Sequence, residues 1–105
     1  MPGIDLNYFI RQANKLTEKI EQRKKELAEE TVEGKAGDGR VVVTANAVQE
    51  IKSVKIDPKV IDPGDVSMLE DLVTAAVNAA LTQSREHMQK ELAKISGGIK
   101  IPGIT

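Results

Sequence analysis

The run Val54-Lys55-Ile56-Asp57-Pro58, with the apolar stretch from Met68 to Leu81 that follows it, most constrains what this chain can fold into. Val54 and Ile56 alternate with polar neighbours as a half-buried strand does. Asp57-Pro58 then removes a backbone donor and turns Asp57 away from helical geometry, so the strand stops there. Beyond it, Leu69, Leu72, Val73, Ala76, Val77, Ala80 and Leu81 recur at spacings of three and four, a wide apolar stripe along one side of a helix. The stripe is more apolar surface than one small partner can cover.

The rest of the chain supplies the partners. A first helix is expected over residues 5–30, with Asp5 as its N-cap. Leu6, Phe9, Ala13, Leu16, Ile20 and Leu27 follow alternating steps of three and four, and Arg23 fills the one seam position where the pattern calls for an apolar residue. A seam this narrow fits an amphipathic helix lying on its own domain, or a helix that projects and pairs with another long helix. After Thr31 the period changes: Val32, Gly34 and Ala36 lead into Gly37-Asp38-Gly39, and the three glycines are read together as hairpin-turn residues. Strands at Arg40 to Asn46 and Ile51 to Ile56 complete a sheet region over 31–57. Asp62-Pro63-Gly64 precedes a second helix over 65–95, which stops before Gly97-Gly98. Residues 96–105, with Ile99, Ile101, Pro102 and Ile104, are apolar but rich in breakers and read as a flexible tail. The expected architecture is one α+β domain over 1–105, ordered α-β-β-β-α, with a small three-stranded antiparallel sheet and two long helices. Val41, Val43, Ile51, Val54, Ile56, Leu69, Leu72, Val73 and Ala76 are its candidate core and dimer-contact residues.

Composition limits how such a domain can be stabilised. Among 105 residues there is one Phe, one Tyr and no Trp, so aliphatic side chains and alanine must fill the interior. Pairing would bury apolar area that a monomer leaves wet, at about 25 cal/mol per Å², and a homodimer is expected. Cysteine is absent, which removes disulfides and thiolate metal sites. No basic-then-apolar leader and no stretch near the ~20 apolar residues of a membrane span is visible, so a cytoplasmic protein without a membrane partner is expected.

Candidate chemistry is sparse. His87, the one histidine, lies among Arg85, Glu86 and Gln89 and reads as a solvated surface residue rather than a metal ligand. Glu70 and Asp71 point about 100° apart on a helix and lack a nucleophile beside them, so they read as complements to the helix dipole. Gly34, Gly37 and Gly39 precede a strand with no Gly-Lys-Ser or Gly-Lys-Thr, which argues against a phosphate loop. No catalytic, metal or cofactor site is assigned, no small-molecule substrate is implied, and an enzyme is not the expected class.

Binding must be argued from charge. Fifteen Lys and Arg against sixteen Asp and Glu give a net charge of -1, unusual for a dedicated DNA binder. Local field matters more, since screening acts over about 8 Å at physiological salt. Arg11, Lys15, Lys19 and Arg23 step by four along the first helix, with Lys24 close by. Lys90 and Lys94 share a face of the second, near Arg85. Acidic residues are interleaved, and on charge alone the ordinary reading is a pair of solvated amphipathic helices.

The combination of the charged first helix, the Gly39-Arg40-Val41-Val42-Val43-Thr44-Ala45-Asn46 strand, the strand closing in Ile56-Asp57-Pro58, the Leu69-Glu70-Asp71-Leu72 helix and the Gly97-Gly98 tail resembles the YbaB/EbfC family of bacterial nucleoid-associated DNA-binding proteins over nearly the whole chain. Ala47 departs from the pattern, which favours Gly after Asn46, so a local difference in that turn is expected. The resemblance implies a small homodimer located at the nucleoid that binds double-stranded DNA and alters its conformation. It reverses the preference on charge: two copies of each basic patch could clamp phosphates on both sides of a duplex. The alternative is a protein-interaction scaffold, in which the long charged helices grip another protein and DNA binding is weak or incidental.

Overall fold

The computed structural model describes residues 5–95; the Gly97-Gly98 stop and the tail expected over 96–105 lie outside them. Helix α1 (Leu6–Leu27) is followed by strands β1 (Thr31–Ala36), β2 (Val41–Asn46) and β3 (Ile51–Ile56), a 3-10 turn (Pro58–Val60) and helix α2 (Val66–Ile95). The sheet is antiparallel in the order β1-β2-β3. The fold is α+β, with two long helices and one small sheet.

Local chemistry accounts for most boundaries. The Asp5 carboxylate accepts from Tyr8 N at 3.2 Å and caps α1, and Asp65 does the same for α2 through Met68 N at 3.1 Å. Gly37, Asp38 and Gly39 all take positive φ, at 63°, 55° and 82°, and turn β1 into β2. Asp57 closes β3 by donating its N–H to Arg40 O at 2.8 Å, and its side chain caps the 3-10 turn through Lys59 N at 2.9 Å. Helix α1 ends at Leu27, three residues short of the expected Glu30. There the carbonyls of Leu27 and Glu30 both accept from Ala47 N, at 3.1 and 2.9 Å, which ties the helix end to the β2–β3 turn. In that turn Ala47 is buried, and the left-handed residue is Gln49, with φ 66°.

Gly34 corrects the sequence reading. It is not a turn residue; it lies inside β1, facing Val43 of β2. A Cβ at this position would stand 2.2 Å from Ala80 N and 2.3 Å from Ala76 O. Hydrogen at Gly34 and methyl groups at Ala76 and Ala80 therefore let the α2 backbone lie directly on β1. Val41, Val43, Ala45, Val60, Ala76 and Ala80 form the buried core, with Ile56, Leu69, Leu72 and Val73 packed against it.

Two expected core residues do not join it. Val54 and Ile51 pair with Val43 and Ala45 and share their face of the sheet, yet they remain 43% and 40% exposed. The cause is the position of α2, which lies over β1 and β2 and leaves β3 uncovered on its apolar side.

Candidate nucleic-acid interface

Helix α1 leaves the body at one end. Leu27 is its one buried residue, Leu16, Ile20 and Arg23 are half-buried, and every residue from Leu6 to Lys15 is exposed. Arg23 reaches Glu91 and His87 reaches Glu30, so the C-terminal part of α1 lies beside the C-terminal part of α2. Lys15, Lys19, Gln22 and Arg23 line an open groove against Ile95, with Glu18 and Glu26 also on its walls. Residues 23 and 91, and then 15–19 and 95, come together, so the two helices run antiparallel.

Arg11, Lys15 and Lys19 are all exposed, and at 100° per residue they form one slowly drifting stripe beside the apolar seam. Lys24 is exposed but lies about 140° around the helix from Lys19, off that stripe. On α2, Arg85, Lys90 and Lys94 are exposed, and Arg85 is likewise about 140° from Lys90, so these three do not make one patch.

Arg23 is committed elsewhere. Its Nη1 donates to Glu26 Oε1 at 2.9 Å and to Glu30 Oε2 at 2.6 Å, and its Nη2 donates to Glu91 Oε1 at 2.7 Å. Lys94 Nζ lies 2.6 Å from the other oxygen of Glu91. Hydrogen bonds to Glu30 and then Glu91 raise the Arg23 pKa, holding the guanidinium protonated. Lys94 and then Arg23 bring Glu91 down to about 2, and His87 and then Arg23 lower Glu30. Two cations thus face three carboxylates, a poor place for a phosphate. This cluster clasps α1 to α2.

His87 is a second correction. It is half-buried rather than solvated, with Nε2 2.8 Å from Glu30 Oε1. Glu30 falls in the loop after α1, 57 residues away in sequence, so local spacing contained no sign of the pair. Asn46 was also missed as more than a strand end. It is fully buried; Nδ2 donates to Ala28 O at 3.2 Å and Glu50 Oε1 at 2.7 Å, and Oδ1 accepts from Val48 N at 3.1 Å and Glu50 N at 2.9 Å. With Gln49 N donating to the buried Ser84 Oγ at 2.8 Å, it locks the β2–β3 turn under both helices. Asn before a turn is the signal that could have revealed it.

Among the described residues no group of three or more His, Cys, Asp or Glu side chains is placed to hold a metal, and no helix is long and apolar enough to cross a membrane. What the fold presents is a small α+β body with a basic helix face turned to solvent. The chain belongs to the YbaB/EbfC DNA-binding family, whose model matches residues 1–99. It is 78% identical over the full length of both chains to a nucleoid-associated protein of Myxococcus xanthus. A nucleoid-associated protein of Moorella thermoacetica is 48% identical, the match covering 94% of this chain and 95% of the relative. An uncharacterized Helicobacter pylori protein shares the fold, with a TM-score of 0.75 at 20% identity over 88% of this chain and 96% of that one. The family is one of DNA-binding proteins rather than an enzyme family.

Proposed function

We propose that this chain is a nucleoid-associated protein that binds duplex DNA as a homodimer, with low or moderate sequence specificity, and alters its shape. The observation that carries the reading is the exposed Arg11–Lys15–Lys19 stripe on the part of α1 that stands clear of the sheet, in a chain of a DNA-binding family. Phosphate contacts from such a stripe position a protein on a duplex without reading bases. The uncovered face of β3 supports pairing. Ile51 and Val54 lie exposed on the side of the sheet that α2 covers elsewhere, with Val73 and Val77 only partly buried nearby in the helix stripe. A second copy would cover this surface and double the number of stripes.

The test is an anisotropy titration of a duplex at several salt concentrations, with sedimentation run beside it. Three cations from each of two copies would neutralise about six phosphates, giving a log-log salt slope of about -5. Replacing Arg11, Lys15 and Lys19 with Glu is expected to lower affinity by about 100-fold or more at low salt with the fold intact. Arg23 is left out because its loss would disturb the clasp. Val54→Asp should shift the sedimenting mass from twice 11.4 kDa to 11.4 kDa. A folded dimer that ignores DNA at low salt would instead favour the scaffold reading, for which the exposed apolar residues Leu6, Phe9 and Ile10 speak.

A further inference from the structure

The chain has one tyrosine and one phenylalanine, and the fold puts neither in its core. Tyr8 and Phe9 are 51% and 55% exposed on the first turns of α1, with Leu6 and Ile10 exposed beside them. Their rings meet edge to face, with centroids 6.1 Å apart and planes at 77°. A domain this short of large side chains would ordinarily bury both rings. Instead they occupy the end of α1 opposite Leu27, about 30 Å away at 1.5 Å per residue.

The cations at this end are Arg11 and Lys15, bracketed by the capping carboxylate of Asp5 and by Glu18. From Leu6 to Thr17 the only ionisable side chains besides the Tyr8 phenol are Arg11 and Lys15. The complementary surface has an apolar interior between negative rails, which describes stacked base pairs between two phosphate backbones.

We propose that the Leu6–Ile10 turn is an apolar wedge: Phe9, with Tyr8 beside it, enters a base step of duplex DNA and kinks it, while Arg11 and Lys15 hold the flanking phosphates. The proposal rests on the DNA-binding reading above and assigns the change of DNA shape to named side chains. Apolar side chains inserted between base pairs kink DNA in architectural proteins. Pyrimidine–purine steps such as TA and CA/TG unstack most readily, so the wedge favours them without any hydrogen bond to a base.

The test uses the full-length protein and a duplex carrying 2-aminopurine at a central TA step, with a dye pair on its ends to report bending. Binding is followed by anisotropy on the same samples. The wild-type protein is expected to raise 2-aminopurine emission and end-to-end energy transfer together as it saturates the duplex. The Tyr8→Ala, Phe9→Ala double variant should lose most of both signals while affinity falls by about tenfold or less, because the unstacking cost disappears along with the contact. Circular dichroism and sedimentation confirm that its fold and mass are those of the wild type. Phe9→Trp, in a chain with no other tryptophan, should show quenched indole emission on binding. Wild-type binding with no 2-aminopurine response overturns the wedge and leaves DNA binding standing. A double variant that kinks DNA as the wild type does overturns it too, as does one whose mass changes, which would make the turn a contact between copies. No binding at low salt overturns the wedge together with the reading beneath it.

Discussion

Helices α1 and α2 are both long and amphipathic, but they are held in opposite ways. Helix α2 buries Ala76, Ala80 and Ser84 and lies with its backbone against Gly34, so its attachment is a long line of close contact made possible by small side chains. Helix α1 buries Leu27 alone, and the Ala47–Leu27 hydrogen bond and the Arg23–Glu30–Glu91 cluster hold it near that end. Close packing gives α2 its place and removes its sheet-facing side from any other use. Attachment at one end leaves most of α1 available, with basic stripe and aromatic turn both in solvent. The difference teaches how one chain can be rigid where it folds and open where it binds.

The sharpest way to break the comparison is at Gly34. Valine there must push α2 off the sheet, and either loss of the native state or a destabilisation of at least about 3 kcal/mol is expected in urea melts. Asn46→Ala acts on the turn that both helices share. It leaves the half-buried carbonyl of Ala28 and the amides of Val48 and Glu50 without their partner, and should cost about 2 kcal/mol, read as a lower urea midpoint at unchanged slope.

Arg23→Gln separates the two helices more selectively. Amide hydrogens of α1 should exchange faster, about tenfold in its C-terminal half, while those around Ala76 in α2 keep their protection. Equal acceleration in both helices would show that the clasp is not specific to α1.

The smallest effect is the pH dependence of the same cluster. Glu91 is held at about 2 and Glu30 is also lowered, so the unfolded chain binds protons more readily than the folded one. Their contribution is complete above the ordinary glutamate value of 4.5 and is lost as pH falls toward about 2. The urea midpoint should therefore hold steady down to pH near 4.5 and decline below it, and Glu91→Gln should flatten part of that decline.

Much of the architecture was legible because it depends on near neighbours in the chain. The shift from three-and-four spacing to alternation at Thr31, the Asp5 cap, the Gly37-Asp38-Gly39 turn and the stop at Asp57-Pro58 each act over a few residues, and the strands and helices lie where those signals put them. The basic stripe Arg11, Lys15 and Lys19 was legible for the same reason, since exposure on a narrow-seamed helix follows from the seam. Arg23 shows the boundary: sequence placed it both on the seam and in the stripe, and only the arrival of Glu91, 68 residues away, decided between them.

Sequence alone therefore determined the elements, their order and the faces they would present, because backbone sterics and side-chain periodicity are local. Tertiary structure decided which of those faces remained free. Gly34 became a packing site because Ala76 and Ala80 came to rest on it, His87 became a hydrogen-bond partner of the clasp because Glu30 lay opposite, and Val54 stayed in solvent because α2 settled over β1 and β2. Each of these outcomes depends on atoms far apart in the chain sharing a volume, and no spacing rule within one element carries that information.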